Sequence, residues 1–206
     1  MRDENEDDRL SLRAVAPGFI LILLVDILTV SGIWPKLGWI NNLLSLTLVC
    51  LPWATLIVLR KPIESLGYQQ KDFLRILGWG VVAGGLWRLV SIVFNLWWVD
   101  LGALNLAWIS RFLGAIVWIP LVEETFFRGY LGRAFSKGIG VWPGILLQAL
   151  LFTLQPVHWN QGGIALLSII GFGLLAGWLQ QHWDSIWSSW GAHAFANLLP
   201  LLILYA

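Results

Sequence analysis

The sequence FLGAIVWIPLVEETFFR, residues 112–128, places an apolar run directly before two carboxylates and a guanidinium. The apolar part is typical of a membrane helix, whereas Glu123, Glu124 and Arg128 are ionisable. Ionisable side chains at membrane depth are costly, so they are functional candidates by default. The stretch therefore predicts a membrane helix that carries a polar site.

The composition of the whole chain supports a membrane protein. Hydrophobic residues make up 58% of the chain and charged residues 12%, whereas soluble domains contain about 25% charged residues. The mean hydropathy is +0.74. The 13 basic residues nearly balance the 12 acidic ones, so we expect membrane lipid as a partner and no nucleic acid. The single cysteine, Cys50, excludes an internal disulfide.

The hydropathy pattern predicts an all-α fold, a polytopic transmembrane helical bundle. A membrane helix needs about 20 mostly apolar residues. By this rule the chain has about seven spans, with six to eight compatible with the pattern: 14–34, 40–59, 73–98, 104–122, 141–157, 163–180 and 185–205. The fourth helix is expected to continue past Arg128. Residues 1–13 are interpreted as a cytoplasmic tail and residues 14–206 as one transmembrane domain.

The distribution of basic residues predicts the orientation in the membrane, because cytoplasmic loops carry an excess of Lys and Arg. With a cytoplasmic N-terminus, one basic residue, Lys36, falls on the outer side of the membrane. Ten basic residues then fall on the inner side: Arg2, Arg9, Arg13, Arg60, Lys61, Lys71, Arg75, Arg128, Arg133 and Lys137. We therefore expect a bacterial-type plasma membrane, with the N-terminus cytoplasmic and the C-terminus outside.

The two adjacent acids are predicted to have different partners. Glu124 and Arg128 are four residues apart, the spacing of a helical ion pair. Glu123 is turned about 100° from Glu124. Glu124 could therefore stay ionised beside Arg128, while Glu123 takes a proton from water. The alternative is that both acids reach the cytoplasmic surface beside Arg128 and Arg133.

Three further polar side chains lie in apolar surroundings. His193 and Asn197 share one face of the last predicted helix, and both could donate hydrogen bonds to a developing oxyanion. The alternative is that this pair holds two helices together. His158 follows the end of the fifth predicted span. A histidine at that position is either catalytic or interfacial.

These residues resemble the motifs of the CAAX protease and bacteriocin-processing family (CPBP or Abi), which includes the prenyl-protein endopeptidase Rce. The family motif Glu-Glu-x-x-x-Arg matches residues 123–128, and the motif His-x-x-x-Asn matches residues 193–197. The resemblance covers roughly residues 110–200. The remaining motif, Phe-x-x-x-His, matches in part, because Phe152 is followed four residues later by Pro156. His158 comes two residues after that, which turns it by about 200° on an undistorted helix. Pro156 can unwind the turn and bring His158 back.

The resemblance implies an intramembrane endopeptidase that cleaves a membrane-associated polypeptide. By this resemblance Glu123 activates a water molecule together with His158, and His193 and Asn197 stabilise the oxyanion. The substrate would be a prenylated CaaX-type protein or a leader or bacteriocin-type peptide. A non-catalytic membrane scaffold, immunity or assembly factor with the same fold is the alternative, which Pro156 favours.

The resemblance also implies that Glu124 and Arg128 hold the other site residues in position, which we call the frame of the site. If a metal is present, Glu123, His158 and His193 would be its ligands, since zinc binds nitrogen and oxygen donors. A water activated by Glu123 alone is equally consistent with these residues. A small transporter is a weaker alternative, because no interrupted half-helices or inverted repeats are visible.

Overall fold

The computed structural model describes residues 9–33, 40–94, 113–161 and 163–205. These residues form helices joined by short connections, with no strand among them, which confirms the all-α prediction. We number the helices α1 Leu12–Val30, α2 Ile40–Leu59, α3 Phe73–Val93, α4 114–139, α5 Val141–Thr153, α6 Pro156–Trp159, α7 Gly163–Trp183 and α8 Ile186–Tyr205. A 3₁₀ turn, Ile63–Leu66, lies between α2 and α3.

Three of these helices, α1, α3 and α7, are long and apolar enough to cross a membrane. The shorter helix α5 and the segment Leu44–Leu59 of α2 are also apolar. The protein is therefore an integral membrane protein. The count of seven spans stays a prediction, since the predicted spans 73–98 and 104–122 both extend into 95–112, outside the described residues.

The N-terminal residues pack closer to the bundle than the predicted boundary at residue 13 indicates. Helix α1 begins at Leu12, and the Ser11 side chain accepts a hydrogen bond from the Ala14 backbone N–H at 3.3 Å. Leu10 is only 1% exposed, and Arg9 lies 2.7 Å from Asp184. The Arg9–Asp184 contact joins this segment to the connection between α7 and α8. Residues 1–8 lie outside the described part of the chain.

Helix α4 is central to the bundle and continues past Arg128, as predicted. It combines two wider π-helical segments, Gly114–Trp118 and Glu124–Gly132, with the α-helical segments Ile119–Glu123 and Arg133–Ile139. Every residue from 124 to 136 is buried, because α1, α2, α5, α7 and α8 all contact this half of the helix.

Because of this burial, two basic residues that were assigned to a cytoplasmic loop lie inside the bundle. Arg128 is fully buried and Arg133 is 2% exposed, so neither is a loop charge, and the orientation argument loses both. Arg133 instead donates to Asp184 at 2.6 Å. The orientation of the termini stays a prediction.

Glycines allow α3 and α8 to pack backbone against backbone. A Cβ atom on Gly80 would overlap the Ser188 carbonyl, and one on Gly84 would overlap the Ala192 carbonyl. This close approach is the one that the Gly80-x-x-x-Gly84 spacing predicts. It places the His193 region of α8 directly against α3.

The prediction of one continuous fifth span, 141–157, is wrong. Helix α5 ends at Thr153, and a separate short helix begins at Pro156. Proline lacks a backbone N–H, and it disfavours helical geometry in the preceding residue. Gln155 accordingly has extended backbone angles, φ −51° and ψ 144°. The break redirects the chain just before His158.

Substitution of Gly84 by alanine should destabilise the protein by about 1–3 kcal/mol, because the new methyl group overlaps the α8 backbone. Gly78→Ala is the matched control on the same helix, since no atom lies within 4 Å of a Cβ at that position. That control should be neutral or stabilising by up to about 1 kcal/mol. Thermal unfolding in detergent measures both. Equal unfolding temperatures for the two variants would contradict the close packing of α3 on α8.

Candidate active site

The centre of the candidate site is a buried ion pair on α4. Arg128 Nη1 lies 3.2 Å from Glu124 Oε1, and both side chains are fully buried. The two residues are four apart with the acid nearer the N-terminus, the favourable orientation for a helical pair. Breaking a buried pair of this kind leaves an uncompensated charge, so each partner depends on the other. Glu124 therefore cannot be a carboxylate that reaches the cytoplasmic surface.

Aromatic side chains from two other helices cover Arg128. Its guanidinium carbon lies 4.2 Å from the ring centre of Phe152 on α5 and 5.9 Å from that of Phe172 on α7. A cation over an aromatic face is stabilised by the ring quadrupole, especially where water is excluded. The family motif position Phe152 thus contacts the motif position Arg128 directly.

His193 of α8 lies between the two acids of α4. Its Nδ1 is 2.8 Å from Glu124 Oε1, and its Nε2 is 3.7 Å from Glu123 Oε2. Because a carboxylate oxygen accepts, the Nδ1–H of the imidazole donates to Glu124. The other ring nitrogen then faces Glu123. The site thereby joins residues 69 positions apart in the chain.

Glu123 differs from Glu124 in its exposure. The Glu123 side chain is 15% exposed, whereas that of Glu124 is fully buried. Glu123 lines a cavity of about 210 Å³ together with His158, His193 and Asn197. One acid therefore holds the frame of the site while its neighbour faces a space that could admit a substrate.

His158 lies in the same cavity in spite of the altered motif. The helix break before Pro156 brings its ring back over Phe152, with 4.3 Å between the ring centres. Its Nδ1 lies 2.6 Å from the Phe152 carbonyl oxygen. A carbonyl only accepts, so Nδ1 carries the proton and the neutral ring keeps Nε2 as an acceptor. The structure thus brings His158 to the cavity wall that Glu123 also lines.

Asn197 has a contact that supports the alternative of helix attachment. Its Nδ2 donates to the Ala115 carbonyl at 2.9 Å, and Trp190 Nε1 donates to the Val117 carbonyl at 3.2 Å. Both carbonyls belong to the first π-helical segment of α4. Asn197 therefore fastens α8 to α4 and lines the cavity at the same time.

A hydrogen-bond chain fixes α4 next to its ion pair. Tyr68 and Thr125 hydroxyl oxygens are 2.6 Å apart, and the Thr125 hydroxyl donates to the Leu121 carbonyl at 2.6 Å. Because the Thr125 hydroxyl donates its proton to the Leu121 carbonyl, the Tyr68 hydroxyl must be the donor in its hydrogen bond to Thr125. Burial raises the pKa of the Tyr68 phenol, so this donor keeps its proton at neutral pH.

The donor set does not fit a metal centre. Among the residues that the structure describes, no group of three or more His, Cys, Asp or Glu side chains is placed to hold a metal ion. Catalytic zinc sites use three protein ligands, whereas the ring nitrogen of His193 that Glu124 does not hold has one carboxylate near it in the described part of the chain, that of Glu123 at 3.7 Å.

Two residues of the site were not among the candidates from the sequence. Arg88 of α3 lines the cavity and donates from Nε to the Ala196 carbonyl at 2.6 Å. Its signal in the sequence is a charge inside an apolar span. Phe172, which packs 5.1 Å from the His193 ring, has no such signal, because aromatic residues are common in membrane helices.

Comparison with known proteins agrees with the motifs. Residues 105–199 match the family model described as type II CAAX prenyl endopeptidase, Rce1-like. The match agrees with the resemblance of these residues to the CPBP family and its Rce1-like members. No curated protein and no solved structure matches the chain.

Removal of the guanidinium by Arg128→Met should destabilise the protein by about 3–5 kcal/mol, because Glu124 is then buried without its counter-charge. The double variant Glu124→Gln/Arg128→Met should recover at least half of that loss, since no unpaired charge remains. Arg75→Met, at an exposed position of α3, should change stability by no more than about 0.5 kcal/mol. Denaturant unfolding in detergent checks all three; an additive double variant would contradict the coupling.

Proposed function

We propose that the protein is an intramembrane endopeptidase in which Glu123 activates the hydrolytic water. The observation that carries this proposal is the difference between the environments of the two acids. Glu124 is fully buried against Arg128, whereas Glu123 faces the cavity beside His193. The Rce1-like match over residues 105–199 supports the same reaction class.

Hydrolysis at this site needs one proton acceptor and one position for water. The oxygen of a water molecule bound at Glu123 forms a bond to the carbonyl carbon of the scissile peptide. Glu123 accepts the proton that this water loses. The tetrahedral intermediate then collapses as its C–N bond breaks, and the proton passes to the leaving nitrogen. The products are a carboxylate on one fragment and an amine on the other.

The imidazole of His193 has the position to stabilise the oxyanion of the intermediate. Glu124 holds its Nδ1 side, so its Nε2 side faces the reacting centre. The second N–H of Asn197, beyond the one held by Ala115, adds a donor from the same helix face.

His158 supplies a second acceptor at the cavity. Since Nδ1 is held by the Phe152 carbonyl, the neutral ring could accept a hydrogen bond from the attacking water through Nε2 and orient it towards the substrate. In this way His158 replaces the histidine that the family motif has at the position of Pro156.

The substrate in this proposal is a membrane-associated polypeptide, either a prenylated CaaX-type protein or a leader or bacteriocin-type peptide. The name of the matched family favours the CaaX type. The host membrane is proposed to be a bacterial-type plasma membrane, with the N-terminus on the cytoplasmic side.

The Glu123→Gln variant should lose proteolysis by about 100-fold or more, because the amide cannot accept the proton of water. Terminal-peptide proteomics of membranes that express wild type or variant measures this directly. Glu64→Gln, the same chemical change on the connector between α2 and α3, is the matched control and should leave the termini unchanged.

New termini that require Glu123 would also identify the substrate. Identical termini in wild type and Glu123→Gln, at equal protein abundance and with the cellular phenotype retained, would refute the protease. That result would favour the alternative, a non-catalytic scaffold, immunity or assembly factor, which the replacement of the motif histidine by Pro156 supports.

The His158→Leu variant should lower the cleavage rate by about tenfold or more, since leucine has no acceptor to replace Nε2. His182→Leu, at an exposed position near the end of α7, should cleave at the wild-type rate. The rates are compared on the substrate found by proteomics, or on a fluorogenic CaaX peptide. Wild-type rates for His158→Leu would remove His158 from the mechanism and leave Glu123 as the base.

A further inference from the structure

An apolar groove lies between α3 and α7, apart from the candidate active site. It encloses about 390 Å³, which is within the range of about 300–1,000 Å³ that is usual for ligand sites. Its walls are apolar or aromatic side chains and one imidazole: Trp79, Val82, Ala83 and Leu86 of α3, and Trp178, Leu179, His182 and Trp183 of α7. Walls of this kind suit a hydrocarbon chain.

The ring of Trp87 separates this groove from the cavity of the candidate active site. A Cβ atom on Gly171 of α7 would overlap the Trp87 ring, so the ring lies directly against the α7 backbone. One helical turn further along α3, the hydroxyl oxygens of Ser91 and Ser168 are 2.8 Å apart. These contacts hold α3 and α7 together. Trp87 lines the cavity of the candidate active site, whereas Leu86 lines the groove. The groove is therefore a separate compartment.

A cation lies at the opposite end of the groove. Arg75 is the third residue of α3, and its spacing from Trp79, Val82 and Leu86 places all four residues on one face of that helix. Its guanidinium carbon is 5.5 Å from the ring centre of Trp183, the last residue of α7. This end of the groove thus lies where both helices end. Tryptophan is favoured at such a position because it suits the membrane–water interface.

The guanidinium of Arg75 has room for an anionic ligand. Within the part of the chain that the structure describes, Arg75 has no hydrogen bond and no ion pair, and its contact is the Trp183 ring. The acid that follows Trp183, Asp184, is held by Arg9 at 2.7 Å and by Arg133 at 2.6 Å. A guanidinium over an aromatic face keeps its in-plane N–H groups, whose fork matches a phosphate.

We propose that the groove binds an anionic phospholipid, with one acyl chain between α3 and α7 and the phosphate at Arg75. Charge complementarity identifies this occupant, because the charges of Lys71 and Asp72 just before α3 cancel and Arg75 leaves this end positive. From Arg75 to Leu86 the helix rises about 16 Å, roughly half of the ~30 Å hydrocarbon core. That length matches the acyl chain of one leaflet. The proposal does not depend on the reaction assigned to the candidate active site.

The test is photo-crosslinking of the full-length protein in detergent by a phosphatidylglycerol that carries a diazirine on one acyl chain. Peptide mass spectrometry should find the crosslinks within residues 79–86 and 178–183. Unlabelled dioleoyl phosphatidylglycerol should compete at an about fivefold lower concentration than dioleoyl phosphatidylcholine, the preference expected from one basic residue. Arg75→Gln should make the two competitors equal, and Arg75→Lys should keep part of the preference. Arg13→Gln, at an exposed arginine in the first turn of α1, is the matched control and should keep all of it.

The position of the acyl chain has its own pair of variants. Val82→Trp places a large ring on the groove wall, so it should lower the crosslinking yield at both segments by about fivefold or more. Val93→Trp makes the same change at an exposed position of α3 outside the groove and should leave the yield unchanged. Equal yields in the two variants would overturn the placement of the chain between α3 and α7.

The other occupants and a structural role of Arg75 give different results. Equal competition by the two phospholipids on wild type overturns the proposal, as does an Arg75→Gln variant that keeps the preference while its unfolding temperature falls. Competition by glycerol phosphate at the same concentration as phosphatidylglycerol would identify a soluble phosphate ligand instead. Stronger competition by farnesol than by phosphatidylglycerol would assign the groove to an isoprenoid chain. Both of these results also overturn the phospholipid.

Discussion

The buried ion pair of Glu124 and Arg128 constrains the positions of the helices packed around it. Both side chains are fully buried in a membrane bundle, so water does not stabilise either charge. Neighbouring helices must do so: α8 provides the imidazole of His193, while α5 and α7 provide the aromatic faces of Phe152 and Phe172. The position of each of these helices is therefore tied to a pair that α4 makes on its own.

This constraint explains why two adjacent acids have different environments. On a helix, neighbouring residues point about 100° apart, so one acid faces the interior and the other faces the cavity. The interior acid is neutralised and orients His193, which in turn reaches the second acid with its other nitrogen. His193 therefore lies within 4 Å of both carboxylates, and Glu123 and Glu124 belong to one polar cluster.

Two features of the bundle shape the cavity: the close packing of α3 on α8 and the interruption of the helix between α5 and α6. Glycines let α3 lie against the backbone of α8, which brings Arg88 to α8 and to the cavity. Pro156 ends the fifth helix early and turns His158 towards the same space. Without the first feature the cavity would lack its cation, and without the second it would lack a histidine. The break at Pro156 thus places a histidine on the cavity wall although the motif position itself is proline.

The sequence by itself determined the helical membrane class and the pairing of Glu124 with Arg128, because hydropathy and a spacing of four are local properties of the chain. It also indicated that Glu123 would face elsewhere. Only the tertiary structure decided that Arg133 is buried, that His158 lines the cavity, and that Arg88 belongs to it. These positions depend on which helix faces meet, and that choice is made by contacts between residues far apart in the chain. A helical pattern specifies the face of each residue, whereas packing specifies what that face touches.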